Sequence, residues 1–180
     1  MAEAWRMSQR RPKPDRVPPP PLDAEGVRAL ALRYVARYST TAQKLKRFLE
    51  RKLWERGWAG DGEPPVAASV ERCIALGYVD DRLFGEARAR TLATKGFGQR
   101  RVGQALNAAG LDRELAAEIG GTVDGRAAAE ALAKRRRFGP WDQGGYDVDR
   151  HRKQTAAMLR AGHDFKTVRA VLRGDPVEDY

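Results

Sequence analysis

A chain of 180 residues with 34 Lys+Arg against 24 Asp+Glu carries a formal charge of +10, and 42% of it is hydrophobic. This allows one to two ordinary domains or a short array of smaller units, and it favours nucleic acid or an acidic protein surface as partner. A single cysteine, Cys73, excludes an intramolecular disulfide and argues against a Cys-based metal site, and no apolar run suits a secretion signal or membrane span.

Residues 1–21 hold Pro12, Pro14, Pro18, Pro19, Pro20 and Pro21 among few apolar residues. Such a segment buries too little surface to offset its ordering entropy, so a disordered basic tail is expected. Helical periodicity begins at Leu22. Val27, Leu30, Ala31, Tyr34, Val35 and Tyr38 fall on one face. Ser39 and Thr40 offer an N-cap to a second helix lined by Ala42, Leu45, Leu49 and Leu53 and running to Gly57. After the breakers of 60–65, Val66, Val70, Cys73 and Ile74 mark a third helix that stops at Gly77. Asp80 or Asp81 caps the next, with Leu83, Phe84, Ala87 and Leu92 expected on its inner face. Gly96 and Gly98 break it. Val102, Ala105, Leu106 and Ala109 then lead to Gly110, and a short helix follows with Leu115 and Ile119. The last helices carry Ala128, Ala131, Leu132 and Phe138; then Thr155, Met158 and Leu159; then Phe165, Val168, Val171 and Leu172. No segment alternates as a strand does. The chain reads as all-α.

A rhythm runs through this pattern. Leu53, Leu106 and Met158 each stand four residues before a glycine, and those glycines, Gly57, Gly110 and Gly162, lie 53 and 52 residues apart. Each closes the second helix of a three-helix group. The division this suggests is a tail over 1–21, three-helix repeats over 22–79, 80–123 and 124–174, and a C-terminal tail over 175–180, the repeats forming an elongated, curved molecule.

The sequence holds no catalytic constellation. No phosphate-binding loop is present, since Gly96-Phe97-Gly98 lacks a third glycine, a Lys-Thr pair and a preceding strand. His151 and His163 have no metal-ligand partner at helical spacing and read as solvated polar residues. Cys73 reads as a small core residue. Asp80-Asp81 is tempting as a metal-binding pair, but adjacent carboxylates before an amphipathic helix ordinarily accept its orphan N–H groups. The expectation is a non-enzyme with no cofactor and no metal.

The basic residues carry the positive case. Lys44, Arg47, Arg51 and Lys52 lie on the second helix. Arg82, Arg88, Lys95, Arg100 and Arg101 surround the Gly96–Gly98 break, and Arg135, Arg136 and Arg137 follow in the last group. One such run on a helix is usually a solvated face. Three of them, one per group, suggest an extended surface for DNA or an acidic protein. Arg100 and Arg101 are expected to reach outward from a helix start toward partner carboxylates or phosphates.

Taken together, the segments resemble the RecX family of recombinase regulators. The signature is Gly77-Tyr78-Val79-Asp80-Asp81-Arg82-Leu83-Phe84, followed by Lys95-Gly96-Phe97-Gly98-Gln99-Arg100-Arg101 and by Gln104-Ala105-Leu106 before Gly110. Ala31-Leu32-Arg33-Tyr34 with Ser39 is similar to the family's opening helix and cap, and Arg160-Ala161-Gly162-His163-Asp164 to its closing turn. The likeness covers about 22–174. It implies tandem three-helix modules lying along a RecA nucleoprotein filament and restraining strand exchange, ATP hydrolysis and co-protease activity, in DNA repair and the SOS response. It also implies weak non-specific binding of single- and double-stranded DNA, a monomer, a cytoplasmic location, and neither catalytic residues nor a cofactor. The chain departs from the family in its extended second helix (48–58), the 60–65 loop, the lengthened connection at 142–146, and His163 where an aromatic is usual. The rival reading is a helix-turn-helix transcription factor, which would bind one duplex tightly and as a symmetric dimer.

Overall fold

The computed structural model describes residues 19–145 and 147–173. These form α1 (Ala24–Val35), α2 (Ala42–Arg56), α3 (Val66–Ala75), α4 (Asp81–Thr94), α5 (Gln99–Ala108), α6 (Arg113–Gly121), α7 (Gly125–Arg136), α8 (Val148–Arg160) and α9 (Phe165–Arg173), with a 3-10 turn at Gly139–Trp141. The only β-type pairing among the described residues is an isolated bridge between Leu22 and Trp58. The protein is all-α.

Side chains start most of these helices by accepting their orphan N–H groups. Asp23, Asp80, Asp112, Asp124 and Asp147 cap α1, α4, α6, α7 and α8 in this way. Asp164 does the same for α9 through the N–H of Thr167 at 2.8 Å. The cap of α2 is Thr41, not Ser39 or Thr40. Its Oγ1 accepts from the Lys44 N–H at 3.2 Å while donating to the buried Ala109 carbonyl at 2.8 Å, and that second, long-range bond selects it.

Most of the helix ends close on a left-handed residue that turns the chain. Gly77, Gly96, Gly110 and Gly162 all have positive φ, and the N–H of the residue after each returns to a carbonyl five residues back. Arg137 occupies the same position after α7 with φ 55°, the one non-glycine residue in this conformation among the described residues.

Three buried clusters result. Val27, Ala31, Leu45, Leu49, Val70 and Cys73 pack between α1, α2 and α3. Ala89, Leu92, Val102, Leu106, Ala116 and Ile119 pack between α4, α5 and α6. Ala129, Leu132, Ala133, Met158, Val168 and Val171 pack between α7, α8 and α9. Five residues assigned to apolar helix faces lie outside. Leu83 and Phe165 are each 61% exposed, Tyr38 and Ile74 are about half exposed, and Ala87 is exposed as well. On α4 the buried stripe is Gly85, Ala89 and Leu92, because Gly85 lets α6 approach: a Cβ there would stand 2.7 Å from both Ile119 and Leu111. A periodicity count gives glycine no weight and so rotates the face.

The three groups follow one another in a row, joined twice by the same device. At the first joint the start of α2 sits on the turn after α5. Thr41 bonds the Ala109 carbonyl, and Gly110 is so close that a Cβ would come within 2.7 Å of Gln43. Asp81 reinforces it by accepting from the Ala42 N–H at 2.8 Å. Of the aspartate pair, Asp80 caps its own helix and Asp81 caps the neighbouring group's.

At the second joint the start of α5 sits on the turn after α8. The Gly98 N–H donates to the Ala161 carbonyl at 3.0 Å, and Arg100 Nη2 donates to the Leu159 carbonyl at 2.8 Å. His163 lies inside this joint at 3% exposure, with Nε2 3.1 Å from the Gly96 carbonyl. The expectation of a solvated histidine is corrected here. Gly98 and Gly162 bring two backbones together around it, a proximity that local sequence does not encode.

The corresponding turn after α2, at Gly57, is covered by the chain's own beginning. The Leu22 N–H donates to the Gly57 carbonyl at 2.9 Å, and Arg56 Nε and Nη2 both donate to the Pro20 carbonyl at 2.9 and 2.6 Å. The last prolines of the expected tail therefore lie along α2. Residues 1–18 and 174–180 lie outside the described residues.

Candidate interaction surface

The basic side chains singled out in the sequence do not form one cluster. Lys44, Arg47, Arg51 and Lys52 lie on α2, Arg82 and Arg88 on α4, Lys95 just after it, and Arg100 and Arg101 in the first turn of α5. Arg135 and Arg136 end α7, where positive charge suits the helix dipole. The start of α7, at Gly125 and Arg126, lines a cleft with Arg100. At about 1.5 Å of rise per residue, Arg135, Arg136 and Arg137 stand roughly 15 Å further along.

Several of these cations are already engaged. Arg82 forms a two-pronged pair with Glu118, at 2.7 and 3.0 Å, tying α4 to α6. That pairing raises the Arg82 pKa and lowers that of Glu118. Both groups are exposed, so the pair adds little stability. Lys52 bonds Glu55, and Arg51 stands 3.7 Å from the same carboxylate. The Lys44 ammonium lies 5.1 Å over the Phe84 ring, across the first joint. Arg100 is committed to the second joint. Arg47, Arg88, Lys95, Arg101, Arg135, Arg136 and Arg137 are exposed.

Sequence periodicity missed the apolar part of the surface. Ile74, Leu76, Tyr78 and Leu83 are exposed around the Gly77 turn, and Trp54 is 87% exposed on α2. Trp54 could have been noticed, because it lies on the charged side of the helix, opposite Leu45 and Leu49. Burial of Cys73 raises its thiol pKa, as suits a core residue rather than a nucleophile. Burial pulls the His163 pKa below the ordinary histidine value. Among the described residues, no group of three or more His, Cys, Asp or Glu could hold a metal ion, and no helix is long and apolar enough to cross a membrane.

Within Gly77–Phe84, Asp81 and Phe84 thus meet α2 across the first joint, and the turn at Gly96–Gly98 lies in the second. A family model described as the second three-helix domain of RecX matches residues 80–118. A curated protein of Xanthomonas oryzae pv. oryzae named "Regulatory protein RecX" is 35% identical over 130 residues, 71% of this chain and 78% of that protein. The chain belongs to the RecX family. A Myxococcus xanthus protein of the same name is 28% identical over 156 residues, 81% of this chain and 83% of its own length. The crystal structure of RecX from Lactobacillus salivarius superposes with a TM-score of 0.68, covering 84% of this chain and 95% of that one at 15% identity. That likeness shows a common fold. The curated relatives' name makes this a family of regulatory proteins.

Proposed function

We propose that this chain regulates RecA by lying along the RecA–DNA filament and restraining its recombinase, ATPase and co-protease activities, in DNA repair and the SOS response. It acts by binding rather than by catalysis, as a monomer in the cytoplasm, and it touches DNA weakly and without sequence preference. The three helix groups act as repeats, each contributing contacts. The observation that carries this reading is the distribution of exposed cations along a row of jointed groups. Arg47, Arg88, Arg101 and Arg136 are spread over all three, as an extended polyanionic or acidic filament surface requires.

The decisive experiment is single-stranded-DNA-dependent ATP hydrolysis by the cognate RecA, with and without this protein at substoichiometric amounts. Inhibition is expected. Unchanged hydrolysis and strand exchange would overturn the proposal, and tight binding of one duplex by a symmetric dimer would favour a transcription factor. Within the site, Arg101→Ala is the informative substitution, because it keeps the Cβ that packs against Gly162. Arg100→Ala would also remove the bond to the Leu159 carbonyl, so loss of inhibition there would mix joint and partner effects.

A further inference from the structure

The outward face of the first helix group carries an indole that the fold leaves in water, beside arginines and the edge of an aromatic cluster whose inner rings, Tyr34 and Phe48, pack against the core. Trp54 is 87% exposed on α2, one turn beyond Arg51. The Arg51 guanidinium stands 5.8 Å over the Phe48 ring, which is stacked on Tyr34 with centroids 4.2 Å apart. Tyr34 leads to Tyr38 at 5.2 Å, and Tyr38 is half exposed. Arg47 lies on the same side of α2 as Trp54, two turns before it, with its side chain exposed. Between Arg37 and Arg56 the only acids are Glu50 and Glu55, each held by a neighbouring Lys or Arg in an exposed pair that a phosphate can outcompete.

We infer that this face is a binding site for single-stranded nucleic acid, with Trp54 stacking on a base and Arg47 and Arg51 meeting the flanking phosphates. An indole left in water at the charged pole of a helix gains nothing for folding. A flat exposed ring with two guanidinium groups one and two turns before it on the same helix matches a base and its neighbouring phosphates along a single strand. A duplex keeps its base faces inside the stack, so it could use the arginines but not the indole. An acidic protein surface would likewise satisfy the charges and leave the ring without its partner. The inference rests on the DNA-binding part of the function proposed above but not on RecA.

The test is anisotropy of fluorescein-labelled oligothymidylate of about fifteen nucleotides against a mixed-sequence duplex of equal length, using the full chain without RecA. Trp54→Ala is expected to weaken oligothymidylate binding about tenfold or more while leaving duplex binding nearly unchanged, and Trp54→Phe to restore most of the loss. Arg47→Gln and Arg51→Gln should each lower the salt slope on the single strand by about 0.7. Because all three side chains are outside the cores, circular dichroism should be unaltered. The inference is overturned if Trp54→Ala binds oligothymidylate as the wild type does, or if single strand and duplex lose affinity equally. It is also overturned if the substitution spares DNA and removes only binding to a protein partner. RecA ATPase inhibition by the same variant is read separately, so failure of this site and failure of the RecA proposal give different results.

Discussion

Replacing Gly98 with alanine isolates the force that holds the second and third helix groups together. Gly98 has φ −76° and ψ 167°, which any residue adopts, so the substitution carries no backbone strain of its own. Its cost is steric. The new Cβ would stand 2.5 Å from the Gly162 carbonyl oxygen, 2.6 Å from its carbon and 2.7 Å from His163 Nδ1. Two of these are backbone atoms, and no rotamer change removes them. The joint must therefore open by nearly 1 Å or the groups must part. Overpacking of this kind costs about 1–3 kcal/mol. Parting forfeits the bonds from Gly98 to Ala161, from Arg100 to Leu159 and between His163 and Gly96, at about 1 kcal/mol each. The cheaper route wins, so the expected loss is about 1–3 kcal/mol. Urea denaturation followed by circular dichroism measures it, and hydrogen exchange of α8 and α9 shows whether the third group loosens first. Gly121→Ala is the control, since a Cβ there meets nothing within 4 Å. If Gly98→Ala unfolds within about 0.5 kcal/mol of the wild type with unchanged exchange, the close approach of the two turns does not constrain the joint.

Arg137→Gly should stabilise the protein by about 0.5–1 kcal/mol, because Arg137 holds a left-handed helix-end position that suits glycine; a lower urea midpoint would contradict this. Thr41→Ala should cost about 2 kcal/mol by removing both the cap on α2 and the buried bond to the Ala109 carbonyl, with Thr41→Ser recovering most of it. His163 sets a pH dependence of defined sign. Its folded pKa lies below its unfolded value, so the unfolded chain binds the extra proton, and the stabilisation is complete above the unfolded pKa of about 6.5 and lost as pH falls through it. Urea midpoints at pH 8 and pH 5.5 should diverge for the wild type and converge in His163→Phe; an equal divergence in the variant would clear His163 of that role.

Helix positions and the all-α class were legible from sequence because they depend on groups three or four residues apart. The stripes Leu45–Leu49 and Val102–Leu106, an aspartate cap at Asp80 or Asp81, and the glycines after α2, α5 and α8 are each local, and the structure has all of them, with Asp80 as the cap. What tertiary structure alone decided lies where segments far apart in sequence meet. Thr41 displaces Thr40 as a cap because the Ala109 carbonyl is beside it, 68 residues away. Gly85 enters the core of α4 because α6 comes down on it, and His163 is buried because Gly98 and Gly162 let two turns touch. The same holds for the charged surface. Arg47 and Arg82 are equivalent in sequence, as exposed arginines on amphipathic helices, yet Arg82 is paired with Glu118 across two helices and Arg47 is not. A helical period reports which face a residue occupies. Which long-range partner waits on that face is set only when the groups dock.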